Sequence, residues 1–280
     1  MNNSIYPCLI IKGKTAEAAE FYLKTFGQGK TVNASSLVVQ IELSGQRFMI
    51  LNDGPSTKPN SSISFMVLSK DLNEVEQYWN TLTEGGQIFM PLDSYDWSEK
   101  YGWVQDKYGV SWQIMKINED EKAQKFNPTF MFTGAQAGQT KEAIEFYTSL
   151  FPNSKVEGIL EYAESDNEKP GLVKHAQFMI NDYVMMAMDS SMDHGVQFND
   201  AISFVVECET QNQIDNYWAK LTASGGQEVA CGWLTDKFGV SWQIIPKGLL
   251  KLVTNPERSE RVMNAVMQMK KLIIADLEKA

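Results

Sequence analysis

Side chains able to do acid–base or metal chemistry are scarce in this chain. There are two histidines, His175 and His194, and three cysteines, Cys8, Cys208 and Cys231. No CxxC pair occurs, which argues against a disulfide framework and a thiolate zinc site. His175 shares an expected strand face with Gln177, where it could act as ligand, general base or hydrogen-bond donor. His194 lies among Asp189, Ser190, Ser191, Asp193 and Gly195 and reads as part of a solvated loop. Cys231 precedes Gly232 and Trp233 with no visible basic partner, so its thiol is expected to be inert. The remaining candidates are hydrogen-bonding groups. Gln113 follows Trp112 and Gln243 follows Trp242 in matching strands; Gln40 and Glu42 share a face; Trp103 and Trp233 each follow a glycine. Such amides and indoles would orient a planar or apolar guest rather than attack it. No GxSxG, Walker A, HExxH or EF-hand pattern is present. Asp106 to Gly109 and Asp236 to Gly239 read as type I turns, not anion sites.

Composition narrows the partners. Lys and Arg number 25 against 35 Asp and Glu, a net charge of −10. Such a surface repels phosphate backbones and anionic lipid, so neither nucleic acid nor membrane is expected as a partner. The longest apolar run, 183–188, is far below the roughly 20 residues needed to span a bilayer. Met1, Asn2, Asn3 and Ser4 provide no basic region before an apolar stretch, so no leader and a cytoplasmic location are expected.

The elements that position these residues come from a duplication. Residues 17–27 match 142–152, 63–65 match 202–204, Tyr78-Trp79 match Tyr217-Trp218, and 103–115 match 233–245. Collinear matches of this kind mean two fused copies, since the period is too long for a solenoid. The expected divisions are 1–117, a linker at 118–127, 128–247, and a tail at 248–280. Extra residues near 91–102 in copy one and 161–171 in copy two read as surface loops. Each copy reads as strand, helix, strands, then the same again. In the last strand, Val110, Trp112 and Ile114 should pack under a helix, leaving Ser111 and Gln113 on the other face. Val240, Trp242 and Ile244 repeat this against Ser241 and Gln243. The tail is expected as one helix from Asn255-Pro256, with Val262, Val266, Met269, Ile273 and Leu277 as its apolar stripe.

The runs KEAIEFY at 141–147, VKHAQF at 173–178, AISFVV at 201–206, CGWLTDKFGVSWQIIP at 231–246 and RVMNAVMQMKK at 261–271 resemble the PhnB-like branch of the vicinal oxygen chelate superfamily. That superfamily includes glyoxalases, bleomycin-resistance proteins and extradiol dioxygenases. The resemblance covers nearly the whole chain. It implies an α+β fold of two tandem domains, each of two βαβββ modules curled into an open barrel, plus a C-terminal helix. The domains would pair within the chain as relatives pair between chains, with a homodimer left open. Relatives place a glutamate on the last strand and a histidine on the first. Here Gln113 and Gln243 stand on the last strands, and Tyr6, Pro7, Cys8 and Met131, Phe132, Thr133 on the first. A neutral amide brings no charge to offset a divalent ion. The expected function is binding of a small, partly aromatic molecule in the concave cavities. The expected ligand-binding residues are Gln113, Trp103, Gln40, Glu42, Gln243, Trp233, His175 and Gln177, with no metal and no cofactor. The alternatives are a metal-dependent lyase or oxygenase centred on His175, or the methyl transfer implied by the label 3-demethylubiquinone-9 3-methyltransferase that members often carry. No glycine-rich strand–turn–helix segment suited to S-adenosylmethionine is present.

Overall fold

The computed structural model describes residues 4–52 and 57–280. Met1, Asn2 and Asn3, on which the leader expectation rests, lie outside the described residues. The chain folds as four modules. The first is β1 (Ile5–Ile10), α1 (Thr15–Phe26), β2 (Gly29–Ala34), β3 (Val38–Leu43) and β4 (Gln46–Leu51). The second is β5 (Ile63–Ser69), α2 (Leu72–Thr83), β6 (Gln87–Tyr95), β7 (Ser98–Gln105) and β8 (Ser111–Lys116). The third is β9 (Phe126–Phe132), α3 (Thr140–Leu150), β10 (Lys155–Glu161), β11 (Val173–Ile180) and β12 (Tyr183–Asp189). The fourth is β13 (Ile202–Cys208), α4 (Gln211–Leu221), β14 (Gln227–Glu228), β15 (Trp233–Thr235) and β16 (Ser241–Pro246). The expected α+β class and doubled βαβββ plan are therefore present, with β9 starting inside the stretch read as linker.

The modules pair across the two copies. One sheet has the order β14-β15-β16-β13-β1-β4-β3-β2 and joins modules one and four. The other has the order β10-β11-β12-β9-β5-β8-β7-β6 and joins modules two and three. We call these the terminal and central sheets. Their seams are antiparallel, with Cys8 opposite Ser203 and Ser64 opposite Thr129. Modules two and three are linked by the short segment 117–125, so their seam closes a small loop; the terminal modules then meet each other. Repeat matching alone does not distinguish these pairings, because the modules present equivalent edges.

Alternation sorts each strand's side chains. Trp112, Ile114, Trp242 and Ile244 lie in one core with the crossover helices, as expected. α1 contributes Ala18, Ala19, Tyr22 and Phe26, spaced to fall on one helix face. α4 starts on a Thr210/Gln213 capping box. The two sheets share this core: Phe48 meets Phe65, and Phe130 meets Phe204. Gln46 ties them further, exchanging two hydrogen bonds with the Phe126 backbone.

The turns at 106–109 and 236–239 do more than reverse the chain. Asp106 accepts from the Tyr108 and Val110 N–H groups, the Tyr22 hydroxyl and the Trp112 indole. Asp236 repeats this with Phe238, Val240, Tyr147 and Trp242. Burial raises both carboxyl pKa values while these donors pull the other way. Gly109 and Gly239 close the turns at φ 88° and 92°, a region that favours glycine.

Two expectations need correction. The segment 91–102 is strand, not loop: it forms most of the β6–β7 hairpin, pinned by Tyr95, Trp97 and Tyr101 rings. The tail is three short helices, α5 (Leu249–Val253), α6 (Ser259–Met267) and α7 (Ile274–Lys279), not one. Its continuity breaks because the Met269 and Lys270 carbonyls accept from the Cys231 and Gly232 N–H groups. The expected stripe is still buried at Val262, Val266 and Leu277. It packs on Tyr6, Cys8, Val38, Met49, Val205 and Ile245 of the terminal sheet.

Candidate functional site

Each sheet has a face turned away from the crossover helices, and these faces carry the expected site residues. The grouping differs from that expected from the copies. Gln40 and Glu42 join Gln243 and Trp233 on the terminal sheet, whereas Gln113 and Trp103 join His175 and Gln177 on the central sheet. The physical reason is the exchange of modules between copies.

On the terminal face one cross-strand row reads Gln40, Met49, Cys8, Ser203, Ser241. Gln243 follows Ser241 on the same face and stands opposite Val205 and Trp233. Its amide N–H donates to Ser203 Oγ at 3.0 Å. Cys8 lies against the same two side chains, and burial pushes its thiol up to about 12. The neighbouring row is ionic. Arg47 reaches both Glu207 oxygens at 3.1 Å and lies over the Tyr6 ring, whose hydroxyl also donates to Glu207. Glu42 pairs with Lys30 at 3.4 Å on the rim. Between this face and the tail lies a cavity of about 340 Å³. Its walls include Met49, Leu51, Trp233, Ile245, Leu250 and Val266, with Gln243, Ser241 and Asp200 as polar points. Cys231 is in the wall too, its sulfur 3.5 Å from Met267 Sδ.

The central face repeats the row as Gln177, Met186, Thr129, Ser64, Ser111. Gln113 donates to Ser64 Oγ at 2.8 Å and accepts from the Tyr101 hydroxyl at 2.6 Å. Trp103 donates to Ser111 Oγ at 2.7 Å. Gln177 donates to Glu157 Oε2 at 2.6 Å. His175 is open to solvent on this face, opposite Leu160, yet desolvation lowers its pKa, so it is neutral at pH 7. His194 is exposed and sits 2.8 Å from Ser190 Oγ, away from this row, as the loop reading expects.

Several contributors were missed from sequence. Ser64 and Ser203 lie inside the matched segments 63–65 and 202–204, but no role was read from the match. Glu157, Tyr101 and the tail residue Val266 are far in sequence from the groups they meet, and no spacing rule signals them.

The donors on these rows suit a divalent metal poorly. They are neutral amides, hydroxyls and thioethers, and the one thiol, Cys8, is held protonated by burial. Among the described residues no group of three or more His, Cys, Asp or Glu gathers as a metal site. No strand-to-helix turn among them has the G-x-G-x-x-G form suited to S-adenosylmethionine. No helix among them is long and apolar enough to cross a membrane.

The family model for 3-demethylubiquinone-9 3-methyltransferase matches residues 3–115 and again 124–245. The chain belongs to that family. Two matches in tandem also fit the duplication and place this family member in the PhnB-like branch of the vicinal oxygen chelate superfamily. A PhnB protein from Bacillus cereus, described under the same methyltransferase heading, is 31% identical over 40% of this chain and 98% of its own, with a TM-score of 0.39. Glyoxalase I from Zea mays shares the fold at 11% identity, covering 85% of this chain and 90% of its own, with a TM-score of 0.59. A glutamate-to-glutamine mutant of that maize enzyme gives a TM-score of 0.60 at 11% identity, covering 89% of this chain and 96% of its own. No curated protein matches this family member.

Proposed function

We propose that the chain binds a small, partly aromatic molecule in the cavity between the terminal sheet and the tail, without a metal ion. The observation that carries this reading is the enclosed, largely apolar wall around about 340 Å³, within the size range of small-molecule pockets. Trp233 offers a ring face, and Gln243 and Ser241 supply the few polar groups that orient a guest. Gln113, Trp103, His175 and Gln177 would form a second, uncovered station on the central sheet. The family description names a methyl transfer, so that reading enters the test as a rival.

The test is native mass spectrometry of the full chain, purified without chelator, beside Val266→Phe, which fills the cavity. The expected result is a small organic adduct on the wild type, absent from Val266→Phe, with no bound metal. Stoichiometric zinc, iron or manganese lost in His175→Ala would favour the lyase or oxygenase reading instead. Saturable S-adenosylmethionine binding would favour methyl transfer.

A further inference from the structure

Gln40 and Gln177 occupy equivalent positions in the two rows, yet their amides are treated differently. Each pairs across to a methionine, Met49 or Met186, which in turn faces the first strand of its module. Gln177 donates to Glu157. Gln40 is 5% exposed, and its Nε2 is buried with no hydrogen-bond partner among the described residues. A buried N–H without an acceptor is costly, and native proteins keep few of them. This one is placed to serve the cavity: Val38, on the same face two residues earlier, and Met49, directly opposite, both line it.

The surroundings restrict what could satisfy the amide. The nearest ionic groups on the face are paired with each other, Lys30 with Glu42 and Arg47 with Glu207. The cavity wall is otherwise mostly aliphatic, aromatic or thioether. A charged guest would lose its hydration there with little return, whereas a neutral carbonyl oxygen would accept the Gln40 N–H and bury its hydrocarbon against Met49 and Leu51.

We propose that the Gln40 side-chain N–H is the polar recognition point of the terminal cavity, and that its ligands are neutral, largely apolar molecules carrying a carbonyl-type oxygen. This rests on the reading of that cavity as a binding site. Gln40 acts as a specificity-determining donor at its inner end. Gln177, already joined to Glu157, has no such role in the central sheet.

The test uses 1-tetralone and tetralin, a pair differing by one ring C=O in place of CH₂, titrated calorimetrically into the full chain. In Gln40→Leu the tetralone-to-tetralin affinity ratio is expected to fall about tenfold from its wild-type value, as for loss of one well-placed hydrogen bond. Gln40→Met, of similar length, should give the same fall, and thermal melts confirm that both variants fold. Val266→Phe should abolish binding of both compounds. If both bind, Val266→Phe blocks them, and the ratio is unchanged in Gln40→Leu and Gln40→Met, the role of Gln40 is overturned while the cavity reading stands. If neither compound binds the wild type, or if Val266→Phe leaves binding intact, both are overturned.

Discussion

The two sheets are built to one plan and finished differently. Both carry a glutamine–methionine–serine row on the face away from the crossover helices, and both end in a glutamine bound to a serine of the neighbouring module. In the central sheet the polar groups satisfy one another: Tyr101 binds Gln113, Trp103 binds Ser111, and Gln177 binds Glu157. In the terminal sheet residue 231 is Cys where the central sheet has Tyr101, Val38 stands where it has His175, and Gln40 keeps an unpartnered N–H. The terminal sheet alone has the tail packed across this face. A duplicated framework thus yields one enclosed apolar cavity and one open, internally bonded face. The fold is held constant by the helix-side core, so the other face is free to diverge.

The largest expected effect separates the two faces by their cover. Leu272→Ala empties a fully buried tail position and should cost about 2–5 kcal/mol, read as a lower denaturant midpoint. Met115→Ala, a half-buried position on the uncovered face, should cost clearly less. Equal losses would break the distinction. A smaller effect of opposite sign is expected at Gln40: Gln40→Leu should raise ligand-free stability by about 1 kcal/mol, because it removes a buried donor that lacks an acceptor. The matching Gln177→Leu should give no such gain, since Gln177 already has Glu157. Tyr101→Phe should cost about 1 kcal/mol by leaving Gln113 without its donor. The smallest effect is the titration of His175. Its pKa is held below the ordinary value of about 6.5 by desolvation, so the unfolded chain binds the proton first as pH falls. Stability therefore declines as pH drops from about 7 through that ordinary value. His175→Gln should flatten that decline, and an NMR titration midpoint at or above 6.5 would contradict the assignment.

Much of this was legible in the residues. Alternation around Trp112 and Trp242 put Gln113 and Gln243 on the helix-free faces, because a strand offers only two faces and the bulky one must be buried. The duplication was equally plain. Which module meets which was not, since Ser64 and Ser203 sit in near-identical segments and either could face Thr129 or Cys8. The covering of the terminal cavity was also hidden. The stripe at Val262, Val266 and Leu277 announced that the tail packs somewhere, but the backbone contacts of Met269 and Lys270 with residues 231–232 decide where. The orphaned Gln40 amide depends on what is missing around it, and a sequence does not record an absent partner.

The most direct measurement of the central claim is where a bound guest sits. Intermolecular NMR contacts from 1-tetralone should appear to methyl groups of Met49, Leu250 and Val266, all in the wall of the terminal cavity. Contacts confined to Met66 and Met186 of the central sheet, or none at saturating ligand, would contradict it.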